Sequence, residues 1–456
     1  MLSFTKVDRI NASKRGVMDR IKDFSEVYEV FDASKAAEQA ERCIGCGDPY
    51  CHNKCPLHNI IPAWLKQTAD NDIEMAFNIS NETSPFPEIL GRICPHDVLC
   101  EGDCTLNDTH GAITIGSIET HITETGFDEG LTPKFASAEE KIGKKVAIIG
   151  SGPAGISAAT FLLRAGVDVE IFERASRTGG LLTYGIPGFK LDKHRIERRI
   201  DFLKDAGAVI TTNCEIGKDK SFEELEKEFD AIFIGIGATK GKMANLEGET
   251  NSNVHLAMEL LTKVQKKEFG EDVEDYIDVA DKKVVVIGGG DTAMDCVRTS
   301  VREGAKSVKC LYRRDRANMP GSKKEVDNSI EEGVEFVFNV SPKSINENGV
   351  MLEKTKLSLA DESGRQRVEI IPGSDYLEKA DIIIMALGFD QELPAFIKEQ
   401  NFELDKWNGI KVDKNYQTSK ANIYSGGDSV RGANLAVTAT LDGREAAFAI
   451  IKSFAK

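Results

Sequence analysis

Apolar positions along this chain follow two rhythms. Before about residue 140 they recur mainly at helical spacing; after it they gather in short apolar runs. From Arg15 to Phe31 the spacing of Val17, Ile21, Phe24, Val27, Val30 and Phe31 predicts one amphipathic helix. A second helix is expected from Ser34 towards the first cysteines. Ile60 to Asn81 is again helical in pattern, with Pro62 near its start and Trp64 on the apolar side. Trp64, Met75 and Phe77 read as packing residues. The polar Gly126 to Lys145 stretch reads as a linker.

The second rhythm opens with Lys145-Val-Ala-Ile-Ile-Gly150-Ser-Gly152-Pro-Ala-Gly155, a buried strand, a glycine turn and a helix to Arg164. Glycines at these three places allow the tight turn, close approach of backbone to a pyrophosphate, and close helix–strand packing. Pro153 suits the first helical turn, where a missing N–H costs nothing. The next strand, Val167 to Phe172, ends at Glu173, about 20 residues on, placed to accept from a ribose hydroxyl.

The pattern returns at Lys283-Val-Val-Val-Ile-Gly288-Gly-Gly290-Asp291-Thr292-Ala293. Its second strand, Ser307 to Tyr312, ends in Arg313-Arg314 instead of an acid. Guanidinium forks suit a 2′-phosphate, which points to NADP; a solvated basic pair is the plainer alternative. Each unit has a further strand ending in glycine, Ala231 to Gly237 and Asp381 to Gly388. Ile423-Tyr-Ser-Gly426-Gly427-Asp428 and a helix from about Ala433 to Lys452 follow. In flavoprotein reductases a late Gly-Asp of this kind completes the flavin site, so the nicotinamide unit is read as inserted in the flavin unit. Gly179 to Pro187 is too rich in small residues for a core helix and is expected to lie along the cofactor.

Between Cys43 and Glu119 lie seven of the ten cysteines: Cys43-x2-Cys46-x4-Cys51-x3-Cys55-Pro56, then Cys94-Pro95, Cys100 and Cys104. A thiol ladder closed by Cys-Pro resembles two-cluster ferredoxins, although four residues precede the third cysteine where those have two. Structural zinc is the alternative, but zinc usually takes two Cys-x2-Cys knuckles and only one is present. Two cubanes need eight ligands, so either one ligand is not a cysteine or one site is incomplete. Cys214, Cys296 and Cys310 stand apart and read as small buried hydrophobes. No Cys-x-x-Cys lies in either nucleotide unit, which disfavours a disulfide relay.

A length of 456 residues suggests about three domains. A net charge of −16 argues against nucleic acid, which requires a basic face. No apolar run approaches the roughly 20 residues of a membrane span, and no signal-like segment opens the chain. The expected location is therefore cytoplasmic, where disulfides are rare.

Taken together, Cys43-Ile-Gly-Cys46-Gly-Asp-Pro-Tyr-Cys51, Gly91-Arg-Ile-Cys94-Pro, Leu99-Cys100-Glu-Gly-Asp-Cys104, Gly288-Gly-Gly-Asp-Thr-Ala-Met-Asp and Tyr312-Arg-Arg-Asp resemble the small (beta) subunit of bacterial NADPH-dependent glutamate synthase. The resemblance spans essentially the whole chain. It implies FAD, NADPH and two [4Fe-4S] clusters, one on Cys43, Cys46, Cys51 and Cys104, the other on Cys55, Cys94, Cys100 and Glu119. Thr120 and His121 follow Glu119 where relatives often have a basic and an aromatic residue. For FAD it points to Gly150, Gly152, Gly155, Glu173, Gly180, Leu181, Lys190 and Asp428; for NADPH to Gly288, Gly290, Asp291, Thr292, Ala293, Arg313, Arg314 and Gly388. No catalytic acid or base is expected. The implied partner is the glutamate synthase large (alpha) subunit; the alternative is an NADPH-ferredoxin oxidoreductase or transhydrogenase large subunit. The expected fold is α/β: a helical iron–sulfur domain (1–140), a Rossmann-like FAD domain in two parts (141–255 and 389–456), and an inserted Rossmann-like NADP domain (256–388).

Overall fold

Strands covered on both faces must be apolar almost throughout, and the runs of the second rhythm form two such parallel sheets. The computed structural model describes residues 3–360 and 366–455. In the first sheet the spatial order is Ile423–Ser425, Ala231–Ile234, Lys145–Ile149, Asp168–Phe172, Val209–Thr211. In the second it is Val254–Leu256, Ile382–Met385, Lys283–Ile287, Ser307–Tyr312, Glu335–Phe338. Every strand of the second sheet falls, in sequence, between two strands of the first. The domain of the second sheet is thus an insertion in that of the first. The chain crosses between domains twice, and Lys240–Gly241 and Phe389–Asp390 pair antiparallel at the crossing as a two-stranded ribbon.

An antiparallel sheet of Val340–Asn346, Gly349–Leu357, Val368–Ile370 and Tyr376–Lys379 extends the inserted domain. The sequence reading did not anticipate it. Its strands are half-exposed and laced with charge, so they lack the continuous apolar signature of the parallel strands.

Helices Ala33–Glu41, Ile61–Ala69, Ile73–Thr83, Pro87–Ile93 and Ile115–Asp128 make the N-terminal domain around fully buried Trp64, with Phe77 and Ile118. The continuous Ile60–Asn81 helix expected from spacing is two helices. Asn71 takes φ 58° at the break, and the Asp72 carboxylate caps the second helix by accepting from Met75 N at 3.0 Å. Met75 is 48 % exposed and does not pack. The expected linker is shorter, because Ile115–Asp128 runs through Gly126, where a Cβ would come within 2.4 Å of the Phe77 ring.

Arg15 to Phe31 is not a helix beyond Val17–Arg20. Its apolar residues serve different neighbours. Phe24 packs on the core of the inserted domain, Val27 hydrogen-bonds through its N–H to Phe189 O, and Phe31 enters the helical domain's core.

Buried charge ties the domains together. Arg199 of the flavin-type domain grips the Glu88 carboxylate with two bonds of 2.8 and 2.6 Å, both side chains 0 % exposed. Glu124 of the helical domain meets Arg195 at 2.7 Å and Arg198 at 2.9 Å. Removing one partner of such a pair strands the other, at a cost of about 3–5 kcal/mol. Arg199→Met should therefore lower the urea midpoint of the transition that includes the helical domain, and adding Glu88→Gln should recover most of the loss. A wild-type midpoint in the single variant would show that the pair holds nothing.

Candidate functional site

The carboxyl ends of both parallel sheets open into one cavity of about 970 Å³, at the upper end of what a single small ligand occupies. The two glycine turns shape it alike. Gly150 takes φ 97°, and a Cβ there would come within 2.5 Å of Gly235 O. A Cβ on Gly155 would meet Gly150 O at 2.0 Å, and one on Gly288 would meet Ala386 O at 2.3 Å. These three glycines exist for backbone packing. At Gly152 and Gly290 a Cβ would meet nothing within 4 Å. They face the cavity, and directly after them start helices Pro153–Arg164 and Asp291–Arg302. Unpaired N–H groups at a helix start favour an anion. The two cradles fit the pyrophosphates of two dinucleotides.

Glu173 stands at the end of its strand and on the cavity wall. Its carboxylate accepts from Ser151 N at 3.0 Å, from Ser151 Oγ and from Ala175 N at 2.8 Å, so it braces the glycine turn. A carboxylate has about four acceptor positions, which leaves one for a ribose hydroxyl. Asp428 lines the same cavity and is pushed up to about 7 by burial, against the Asn434 N–H that favours its charged form. Gly180 and Leu181 line it too, at the start of the short helix Leu181–Tyr184. Lys190 is held on the wall between Asp295, 2.9 Å away, and Glu325, 4.0 Å away. Burial favours the neutral amine, but the two carboxylates outweigh it and raise the Lys190 pKa. From the inserted domain, Gly290, Asp291, Thr292 and Gly388 reach the wall. Ala293 is buried behind it.

Arg313 and Arg314 end the Ser307–Tyr312 strand as expected, but neither is among the cavity-wall residues. Arg313 is exposed; Arg314 leaves its buried Nε without a hydrogen-bond partner.

Cys43, Cys46, Cys51 and Cys104 line one small cavity, and Cys55, Cys94, Cys100 and Glu119 line another. Ile115 belongs to both walls. Cys94 and Val437 belong both to the second and to the large cavity. Glu119 lies in the Ile115–Asp128 helix; burial pushes it up to about 8 although Asn59 Nδ2 donates to it at 2.7 Å. Burial likewise raises Cys94 and Cys100 well above the ordinary thiol value. Among the described residues, no three Cys, His, Asp or Glu converge closely enough for one metal ion. Four donors around a gap fit a multi-iron core better than zinc, and a cationic core would offset the burial that disfavours the thiolates. His121 is buried, donating through Nδ1 to Phe31 O at 2.8 Å, and Thr120 Oγ1 donates to Gly116 O.

Residues 144–443 match the pyridine nucleotide-disulphide oxidoreductase family, and residues 20–131 match the family described as dihydropyrimidine dehydrogenase domain II, 4Fe-4S cluster. The glutamate synthase [NADPH] small chain of Escherichia coli (strain K12) is 44% identical over 98% of this chain and 98% of that protein. The chain belongs to the glutamate synthase small-chain family. The same organism's putative oxidoreductase AegA is 43% identical over 98% of this chain but only 71% of its own length, so this module also sits within a longer protein. Mycobacterium tuberculosis FprA in complex with NADPH superposes with a TM-score of 0.57 at 18% identity, over 68% of this chain and 85% of that one. That likeness concerns the fold.

Sequence reasoning missed Asp295, Glu325 and Asp442. Asp442 is fully buried, accepts from Gly427 N at 3.0 Å and pairs with Arg431, and so sets the turn that carries Asp428. An acid on the buried side of the largely apolar Ala436–Phe454 helix was the available signal. Asp295 closes the Gly288 to Asp295 motif, but nothing in that motif pointed to Lys190 as its partner, and Glu325 gave no signal because Lys190 is far away in sequence.

Because the Gly152 Cβ would point only into the cavity, Gly152→Val should fold normally yet retain FAD about tenfold less well, or about 1.4 kcal/mol. Gly155→Val should lower the unfolding temperature of the apoprotein itself. Flavin-to-protein ratio and thermal unfolding separate the two; equal effects would contradict this division of roles.

Proposed function

We propose that this chain is the electron-input subunit of a glutamate synthase: it oxidises NADPH and passes electrons through two [4Fe-4S] clusters to a large subunit that makes glutamate from glutamine and 2-oxoglutarate. The observation that carries the reading is the sequence of shared walls. Cys94 and Val437 are common to the large cavity and the second thiol nest, and Ile115 to the second and first nests. When bound, FAD supplies the exchange between a hydride pair and single electrons.

The chain's own residues bind, orient and shield. Gly152 and the start of Pro153–Arg164 receive one pyrophosphate, with Gly150 shaping the turn beneath it, Glu173 on the ribose and Asp428 at the far wall. Gly290, Asp291, Thr292 and Gly388 receive the second dinucleotide. Arg313, exposed, and Arg314, with its orphaned Nε, are assigned to the 2′-phosphate. Cys43, Cys46, Cys51 and Cys104 hold the first cluster; Cys55, Cys94, Cys100 and Glu119 hold the second. Ile44 and Tyr50, exposed beside the first nest, mark where electrons leave and the large subunit docks. No proton-transferring side chain is needed for hydride delivery, only alignment.

A second reading, an oxidoreductase that feeds ferredoxin or another acceptor, is favoured by the AegA likeness. The two separate cleanly. Pure chain should reduce dyes with NADPH, form no glutamate alone, and form it once a large subunit is added; failure with every large subunit and fast ferredoxin reduction would favour the second reading. Arg313→Ala/Arg314→Ala should lose about 1.5–3 kcal/mol per lost charge-assisted bond with NADPH and little with NADH. An unchanged ratio of kcat/KM for the two coenzymes would sink that assignment. Wild type should carry about eight irons, and Glu119→Ala should lose or convert one cluster while flavin reduction by NADPH stays near normal. Full iron with an unchanged spectrum would remove Glu119 from the ligand set.

A further inference from the structure

Two short crossings hold the inserted domain covalently, and they pair only as a ribbon of two residues each. Domains joined so lightly rotate unless a substantial interface prevents it. Residues 13–29 lie across that joint as a hairpin: Arg15 N donates to Val27 O at 3.0 Å and Glu29 N to Ser13 O at 2.9 Å. Its base sits on the flavin-type and helical domains. Val27 N donates to Phe189 O at 3.0 Å, and Glu26 accepts from Asp192 N at 3.0 Å and pairs with Arg92 at 2.7 Å. The approach is so close that a Cβ on Gly188 would come within 2.7 Å of Phe24 O.

Along its whole length, base and tip alike, the hairpin also meets the inserted domain. Lys14 reaches Glu331 at 2.7 Å, and Asp23 O accepts from Arg302 Nε at 3.1 Å. Arg20, 1 % exposed although its helix lies at the surface, meets Glu331 at 2.7 Å and Glu332 at 3.0 Å. Glu332 is shared with Arg298 and Arg302; Arg298 also holds Glu325, which stands with Asp295 around Lys190 on the cavity wall. Burial would raise Glu332, but the Arg298 and Arg302 hydrogen bonds prevail and hold it at about 2, so this network stays ionised.

We propose that hairpin 13–29 is a strap that fixes the inserted domain against the flavin-type domain, and that Arg20 is a positioning residue for hydride transfer, acting through Glu332, Arg298 and Glu325 on the Lys190 wall. The strap itself is read from contacts; its kinetic consequence rests on the function proposed above. It makes the nicotinamide site permanently opposed to the flavin site, so turnover needs no domain rotation.

The test uses the full chain loaded with FAD and iron. Arg20→Met should speed hydrogen exchange at least tenfold in helix Lys323–Glu331 and around Phe189. It should slow flavin reduction at saturating NADPH at least tenfold, with NADPH affinity, FAD and iron content within twofold of wild type. Arg20→Lys should restore part of both. Should Arg20→Met not fold, Glu331→Gln removes a half-exposed carboxylate shared by Lys14 and Arg20 and should shift both readouts the same way by less. Unchanged exchange in the folded variants, or slowed reduction without faster exchange, overturns the strap. A wild-type chain whose flavin NADPH does not reduce would instead overturn the function, leaving exchange to judge the strap.

Discussion

Cys94 stands in two walls at once, and the rest of the architecture is arranged around that fact. Under the proposed ligand assignment, a thiol that also borders the large cavity would bring a cluster and a flavin together with no intervening element. To put it there, the Pro87–Ile93 helix must be clamped to the nucleotide-binding domains. Arg199 on Glu88 and the arginines around Glu124 supply the clamp. The inserted domain forms the opposite wall of the same cavity, and there the strap meets its buried carboxylates.

Both junctions rely on desolvated ion pairs. Such pairs contribute little net stability compared with apolar packing, but they resist rearrangement because breaking one strands a charge. That suits a protein whose output depends on the alignment of three bodies more than on the depth of any one core. Each domain keeps an apolar core of its own: Trp64 and Phe77 in the helical domain, Val146 and Ile148 in one sheet, Val284 and Val286 in the other.

What the sequence made legible was local. Glycine turns, flanking strands and the spacing of thiols each report on backbone within a few residues, and the structure gathers those thiols into two nests of four donors, Glu119 among them. Misreadings occurred where a residue's partner is distant. Val17 to Phe31 has helical spacing, yet Phe24, Val27 and Phe31 go to three separate neighbours and Arg20 pairs with a carboxylate more than 300 positions away. The Asp70–Asp72 break was locally readable from its Asn and Asp, but continuous apolar spacing masked it. Arg313 and Arg314 were placed correctly at a strand end, but neither is among the residues of the cavity wall, which a strand-end pattern does not report.

The central claim is serial wiring: electrons from NADPH pass the Cys94 nest before they reach the Cys43 nest. The most direct measurement is anaerobic reduction of a Cys94→Ala chain that retains one four-iron cluster, followed by optical and EPR spectroscopy. NADPH should reduce the flavin while the remaining cluster stays oxidised, and dithionite should then reduce that cluster normally. Reduction of the remaining cluster by NADPH at the wild-type rate would contradict the account.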